Sequence, residues 1–347
     1  MPLSKIKTAS ITDNAITPSQ MASFHGRRNS IINGGFQVWQ YGTSHSSQGY
    51  GSADRWFLNL SGGTGTASRQ SFANGQTDVP GKPLYYMNLN VSTGNDNCGW
   101  QYRREGTWQF ANEVYTLSFY AKSSNPRAMS VLSDSHDVSA DVTVNNTVSP
   151  ATFTPTSSWQ RFTFKITHSN MSGLASYANG DWTRISINQG SDTSTAAWQL
   201  DLWGVQLEKG DIDPTPFEEI SFAEELQLCK RYFQKTFNYE TAPENGGSAT
   251  GISYNGGMLG YSGTNNNGAL TGFWQFSPEM RATPNLSKYG NNSGQWAYMT
   301  APNSSTSWSG GSGYFTNVKA SGVNFGQNIS GDTHMFGFGH LTARAEL

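Results

Sequence analysis

Trp159-Gln160-Arg161-Phe162-Thr163-Phe164-Lys165-Ile166 places Phe162, Phe164 and Ile166 on one side of an extended chain and Arg161, Thr163 and Lys165 on the other. A period of two is the mark of a half-buried antiparallel strand. Residues 114–121, 183–187 and 198–203 repeat the pattern, and turn-forming clusters such as Ser92-Thr93-Gly94-Asn95-Asp96-Asn97 and Asn179-Gly180-Asp181 separate the repeats. Many short strands with polar turns and no helical crossovers predict an all-β fold, with a jelly-roll β-sandwich over residues 30–215.

One helix stands out. Ser221-Phe222-Ala223-Glu224 is a capping box, Glu224 and Glu225 complement the first turn, and Phe222, Leu226, Cys229 and Phe233 follow an apolar stripe. Pro214 and Pro216 lie just upstream, so residues 216–235 are expected to form a short connector helix between modules. Residues 236–347 are richer still in Gly, Asn and Ser but carry regularly spaced aromatics, including Trp274, Trp296, Trp308, Tyr314, Phe325 and Phe336. That apolar payload predicts a second, smaller β-sandwich rather than a disordered tail. In residues 1–29, Ile6, Ile11 and Ile16 recur every five positions, which fits neither helix nor strand. The segment is expected to be an extended arm that orders by docking on a neighbour, with these three isoleucines as its contacts.

Composition narrows the function. Charged residues are only 13% while aromatics reach 13%, a balance of β-rich particle or extracellular proteins. A net charge of −2 gives no basic surface for nucleic acid. The start Met1-Pro2-Leu3-Ser4-Lys5 has no apolar signal core, and no run approaches the roughly 18 apolar residues of a membrane span, so no membrane insertion is expected. Cys98 and Cys229 lie far apart and indicate neither a metal clip nor a disulfide framework.

Chemistry is sparse. The six histidines are scattered, and no metalloprotease, P-loop or dinucleotide motif occurs. Glu218, Glu219, Glu224 and Glu225 are accounted for by the helix start, which leaves no obvious carboxylate pair for glycoside hydrolysis. Sugar recognition without catalysis asks for less: aromatic faces to stack on rings, with amides and charged groups for the hydroxyls. Trp100, Tyr102, Trp108, Trp296, Tyr298 and Trp308, interleaved with Asn and Gln in loop-like stretches, are the candidate glycan-binding residues. Asp201 faces away from Leu200 and Leu202; with Asn33 as a second oxygen donor it is the one candidate for a structural calcium, a solvated carboxylate being the alternative. No other cofactor is expected.

Between residues 30 and 235 lie Asn33-Gly34-Gly35-Phe36-Gln37-Val38-Trp39-Gln40-Tyr41-Gly42-Thr43-Ser44 with Ala53-Asp54-Arg55-Trp56, then Tyr115-Thr116-Leu117-Ser118-Phe119-Tyr120-Ala121-Lys122. Trp203-Gly204-Val205-Gln206-Leu207-Glu208-Lys209-Gly210 leads on to Glu225-Leu226-Gln227-Leu228-Cys229-Lys230-Arg231-Tyr232-Phe233. This order and spacing resembles tail-fibre and receptor-binding proteins of bacteriophages, in which the region looks like a carbohydrate-binding-module jelly roll. The opening Pro2-Leu3-Ser4-Lys5-Ile6-Lys7 is similar to virion-attachment arms, and Met280-Arg281-Ala282-Thr283-Pro284 with the last seven residues is similar to terminal receptor-binding modules. The resemblance implies a homotrimeric structural protein of the virion tail or baseplate, made in the bacterial host cytoplasm. It would dock on other phage proteins by its N-terminal arm and bind host surface polysaccharide without catalysis. A glycan-degrading depolymerase or esterase, and a purely structural tail or collar connector, are the alternatives.

Overall fold

The computed structural model describes residues 27–95, 97–172, 174, 180–190, 194–245, 268–290, 296–299, 308–311, 313–329 and 336–347. Ile6, Ile11 and Ile16 lie outside the described residues. The chain is all-β with one α-helix among the described residues. The strands up to the helix are β1 (Ser44–His45), β2 (Gly49–Tyr50), β3 (Trp56–Asn59), β4 (Thr64–Ser71), β5 (Tyr85–Thr93), β6 (Gly99–Glu105), β7 (Val114–Lys122), β8 (Met129–Asp137), β9 (Val142–Asn145), β10 (Thr147–Ser149), β11 (Thr152–Phe153), β12 (Gln160–Thr167), β13 (Trp182–Asn188) and β14 (Trp198–Lys209). The helix α1 (Phe222–Lys230) follows, then β15 (Phe233–Lys235), β16 (Gly268–Gln275), β17 (Asn285–Tyr289), β18 (Trp296–Met299), β19 (Trp308–Gly311), β20 (Gly313–Lys319), β21 (Gly322–Ile329), β22 (Phe336–Phe338) and β23 (His340–Arg344).

Two antiparallel sheets form the first sandwich. One runs β1-β4-β5-β14-β7-β12-β10; the other runs β11-β8-β13-β6-β3-β2, with β9 beside β8. Their facing sides meet in one core that includes Trp56, Trp100, Trp198, Phe119, Phe164, Leu200 and Leu202. The alternation expected for residues 159–166 is seen in β12, where Phe164 and Ile166 are buried and Thr163 and Lys165 are exposed. The strand β14 departs from alternation and is buried on both sides. A bulge between Trp203 and Gln206 breaks its register with β7, and residues 214–218 strap across its outer face. Gln206 donates to the Thr215 hydroxyl at 3.1 Å, Glu208 accepts from the Thr215 amide at 3.1 Å, and Phe217 packs on Trp203 at 5.0 Å.

Residues 33–41 do not extend as a strand; they form a turn and an irregular segment. Asn33 adopts a left-handed φ of 59°, a region Asn tolerates better than most residues. Its carboxamide accepts from the Val38 amide at 3.0 Å and donates to the carbonyls of Val38 at 2.8 Å and Asp54 at 3.0 Å. Gly34 lies so close to β14 that an added Cβ would sit 2.1 Å from the Val205 carbonyl oxygen, so no larger residue fits. Asp54 and Arg55 precede β3 rather than lying on it, and both are buried. They therefore do not alternate across a strand.

The cap of α1 forms as expected, the Ser221 hydroxyl accepting from the Glu224 amide at 3.2 Å. Of the expected stripe, Cys229 and Phe233 are buried and Leu226 is half-buried, but Phe222 is exposed and Glu225 is inside. The reason is electrostatic. Glu225 accepts the Asn33 amide at 2.6 Å and faces Arg27 at 3.7 Å, and Glu218 accepts the amides of Arg28 and Asn29. These acids hold residues 27–33 in place, where a solvated helix start was expected. Cys98 and Cys229 are both free and buried.

Past the helix the described residues form three small sheets, β15-β23-β17, β16-β21-β20 and β19-β18-β22. The first two pack together through Phe276, Met280, Val323 and Ala343, with Trp274, Leu286 and Phe315 around them. The adjacent strands β22 and β23, separated by Gly339 alone, join different sheets.

Two consequences are measurable. Asn33→Ala would leave the buried Val38 amide and Asp54 carbonyl without their partner and put alanine at a positive φ that Asn tolerates better, so the intact chain should lose about 2–4 kcal/mol in urea unfolding; a loss below about 1 kcal/mol would contradict the role given to Asn33. His168 is buried against Phe110 and Tyr115, and desolvation lowers its pKa to about 4 despite its bond with the Glu113 carbonyl. The unfolded chain therefore takes up the proton first. The His168 contribution to stability should be constant above about pH 6.5 and be lost, by on the order of 3 kcal/mol, as pH drops from there to about 4, against the opposite slope of the buried Asp54 carboxyl. In His168→Phe that part of the pH slope should disappear.

Candidate functional site

The period of two that buries Thr183, Ile185 and Ile187 turns Trp182, Arg184 and Ser186 of β13 to the outer face of its sheet. Register then assembles their neighbours. Trp182 stands between Glu105 and His136, Arg184 between Arg103 and Asp134, and Ser186 between Gln101 and Leu132. Three strands thus present a patch three residues deep.

The half-buried Trp182 is its centre. The His136 ring stacks on it with centroids 4.8 Å apart and planes 27° from parallel. The Arg103 guanidinium lies 4.8 Å from the indole centroid and that of Arg184 lies 5.2 Å away. Arg103 also lies 5.0 Å from the Phe57 ring centroid, so its guanidinium is close to both rings. Arg184 forms two bonds to the Asp134 Oδ2, at 2.6 and 3.1 Å.

Hydrogen bonding on this patch is incomplete. Asp134 Oδ1 and Arg103 Nε are buried and have no partner in the protein. A buried acceptor and a buried donor left without partners cost about 1–3 kcal/mol each, so this is where a hydroxyl-bearing molecule has bonds to gain. One edge of the patch is already used: Arg103 donates to the Leu347 carbonyl at 2.7 Å. Glu105 accepts from Arg231 and from the Tyr232 hydroxyl. Burial works against the charge of Glu105, but those donors hold its pKa below the usual carboxylate value.

The expected sugar platforms fare unevenly. Trp100 and Tyr102 are on β6, not in a loop, and are buried at 0% and 1% exposure. Their inward phase makes them core, and neither can stack on a ring in solvent. Trp108 lies in a short 3-10 helix three residues after Glu105 and is 55% exposed, on the same end of the molecule as Trp182. Trp296 and Tyr298 are two positions apart on β18 and Trp308 begins β19, with Tyr298 paired with Ser309 and Met299 with Trp308. Trp182 went unnoticed in the sequence, although the alternation of residues 183–187 already placed its neighbours inside.

Asn33 and Asp201 do not form a shared oxygen site. The Asn33 carboxamide is committed to Val38 and Asp54. Asp201 does lie on the side of β14 opposite Leu200 and Leu202, but it is buried rather than solvated: it accepts from Asn88 at 2.6 Å and from Gln199 and pairs with Lys122 at 3.7 Å. Desolvation raises its pKa in spite of those donors. A lysine already neutralises the charge a calcium ion would need. Among the described residues no cluster of three or more His, Cys, Asp or Glu could hold a metal.

No protein family matches the chain, and none of the curated proteins matches its sequence. Several solved structures share part of its fold. A CBM4 structure is 22% identical and is covered completely by 52% of this chain, with a TM-score of 0.34. The CBM22-1 xylan-binding domain of Paenibacillus barcinonensis Xyn10C is 16% identical, with 53% of this chain covering 97% of it at a TM-score of 0.31. The enzymatically active domain of bacteriophage CBA120 tailspike protein 4 is 13% identical; 52% of this chain covers 21% of that one, at a TM-score of 0.31.

Proposed function

We propose that this chain binds a glycan, without cleaving it, on the outer face of the β8-β13-β6 sheet. The observation that carries the proposal is Trp182, a half-buried ring flanked by Arg103, Arg184 and His136 and bordered by the unpartnered Asp134 Oδ1 and Arg103 Nε. Aromatic faces take up the apolar side of a sugar ring, and fixed planar groups around them select hydroxyl positions. The acids of the patch are held by arginines, Asp134 by Arg184 and Glu105 by Arg231, which suits binding better than proton transfer. The two guanidinium groups also favour a sugar bearing a carboxylate or phosphate.

The biological setting comes from the sequence. The resemblance of residues 30–235 to phage tail-fibre proteins supports a virion tail or baseplate protein that docks through residues 1–29 and presents this face to a host polysaccharide. In a homotrimer, three modest sites would act together. Sedimentation of the intact chain should give a trimer, and a stable monomer would remove that part of the reading.

Binding is tested on immobilised bacterial surface polysaccharides with the intact chain, Trp182→Ala and Arg184→Ala, after matching their unfolding curves. Both variants should bind about tenfold or more weakly, the equivalent of about 1.4 kcal/mol. Undiminished binding by both would rule out this face, and shortened polymer chains after incubation would rule out a non-catalytic role.

A further inference from the structure

A cleft of about 480 Å³ lies on the other sheet of the sandwich, where it meets the connector and the residues after β15. That volume falls within the range of about 300–1,000 Å³ typical of small-molecule sites. Five aromatic residues line it: Tyr85, Trp203, Phe217, Phe222 and Tyr239. Tyr85 and Trp203 come from β5 and β14, Phe217 from the strap, Phe222 from the first position of α1, and Tyr239 from the chain beyond β15. Phe222 meets Tyr239 edge-on at 5.2 Å, and the Arg69 guanidinium lies 4.3 Å from the Tyr85 ring centroid.

Three features define what such a cleft would take. Its charged lining is balanced, Arg69 and Lys82 against Glu219 and Glu240, which favours a neutral ligand. Trp203 lines the cleft, and its buried indole N–H has no acceptor among the described residues, so an oxygen that reached it would gain a bond. Leu84 and Phe222 also line the cleft, and they are exposed at 69% and 43% although both are large and apolar. Aromatic walls suit the flat faces of sugar rings, an unpaired donor suits a carbonyl, and exposed apolar side chains suit a methyl group. An acetamido group supplies the last two together.

We infer that this cleft is a second carbohydrate site, for a neutral N-acetylated amino sugar of about disaccharide size. It shares no residue with the Trp182 face and does not rest on that reading. Because its walls come from the sandwich, the connector and the segment past β15, an occupant would bridge them.

The test is saturation-transfer NMR on the full chain, with N,N′-diacetylchitobiose as probe and cellobiose as the control that lacks the acetamido groups. Diacetylchitobiose should show transfer strongest at its acetamido methyls. Phe222→Ala, at an exposed position, and Trp203→Phe, which keeps the ring packing and deletes the N–H, should each weaken it by about fivefold or more. Trp182→Ala should leave it unchanged. Equal binding of cellobiose would overturn the amino-sugar assignment. Absence of transfer, or transfer indifferent to Phe222→Ala and Trp203→Phe, would overturn the site, and loss in Trp182→Ala alone would move the binding to the other face.

Discussion

Everything on the inner side of residues 29–55 depends on satisfying polar groups that the fold has removed from water. Asn33 spends its whole carboxamide on Val38 and Asp54, and its own amide is taken by Glu225 of the helix. Asp54 accepts from the amide and the side chain of Gln40, both at 2.6 Å, and Gln40 reaches on to the Phe233 carbonyl at 3.1 Å. Burial pushes the Asp54 carboxyl up to about 7 even with those donors. Arg55 lies 3.4 Å from the Tyr232 ring centroid and pairs with Glu346. Each unpaired member of such a network would cost more than its bond contributes, so the first sandwich, the helix and the last strand are held in one arrangement.

That arrangement divides the surface of the sandwich into faces with different fates. The outer side of the sheet containing β14 is partly closed by the strap of residues 214–218, and its aromatics mostly pack on one another, Phe72, Tyr86 and Trp159 within 5.5 Å. What remains open there is the aromatic cleft beside Trp203. The outer side of the opposite sheet is engaged along the edge where Arg103 and Glu105 meet the C-terminal residues and the helix end. Trp182, Arg184 and His136 are left around an incompletely bonded centre. The same strand period that builds the core thus also builds the face around Trp182.

Much of this was present in local pattern. The strand β12 and the first half of β13 follow the alternation of their residues, Asp201 lies on the opposite side of β14 from Leu200 and Leu202, and Ser221 caps the helix where the capping box stands. Where local pattern misled, a long-range partner had intervened. Trp100 and Tyr102 sit among Asn, Gln and Arg that suggested a loop, yet β6 runs between β3 and β13 and takes their rings into the core. Phe222 belongs to an apolar stripe in sequence, but Glu225 turns the helix inward to reach Asn33 and Arg27, about 200 residues earlier.

The sequence by itself determined the elements: an all-β chain, the period of strands such as β12, the single capped helix and the phase of residues such as Asp201. Those follow from neighbours a few positions apart, whose side-chain directions are dictated by backbone geometry. Only the tertiary structure decided which aromatics meet solvent and which polar groups stay unpaired. Trp100 and Trp182 are alike in composition and setting, and cross-strand register puts one in the core and the other on the face. Register is fixed by pairing between residues tens of positions apart, and so is the meeting of Trp203, Phe222 and Tyr239 at the cleft; spacing along the chain carries no record of either.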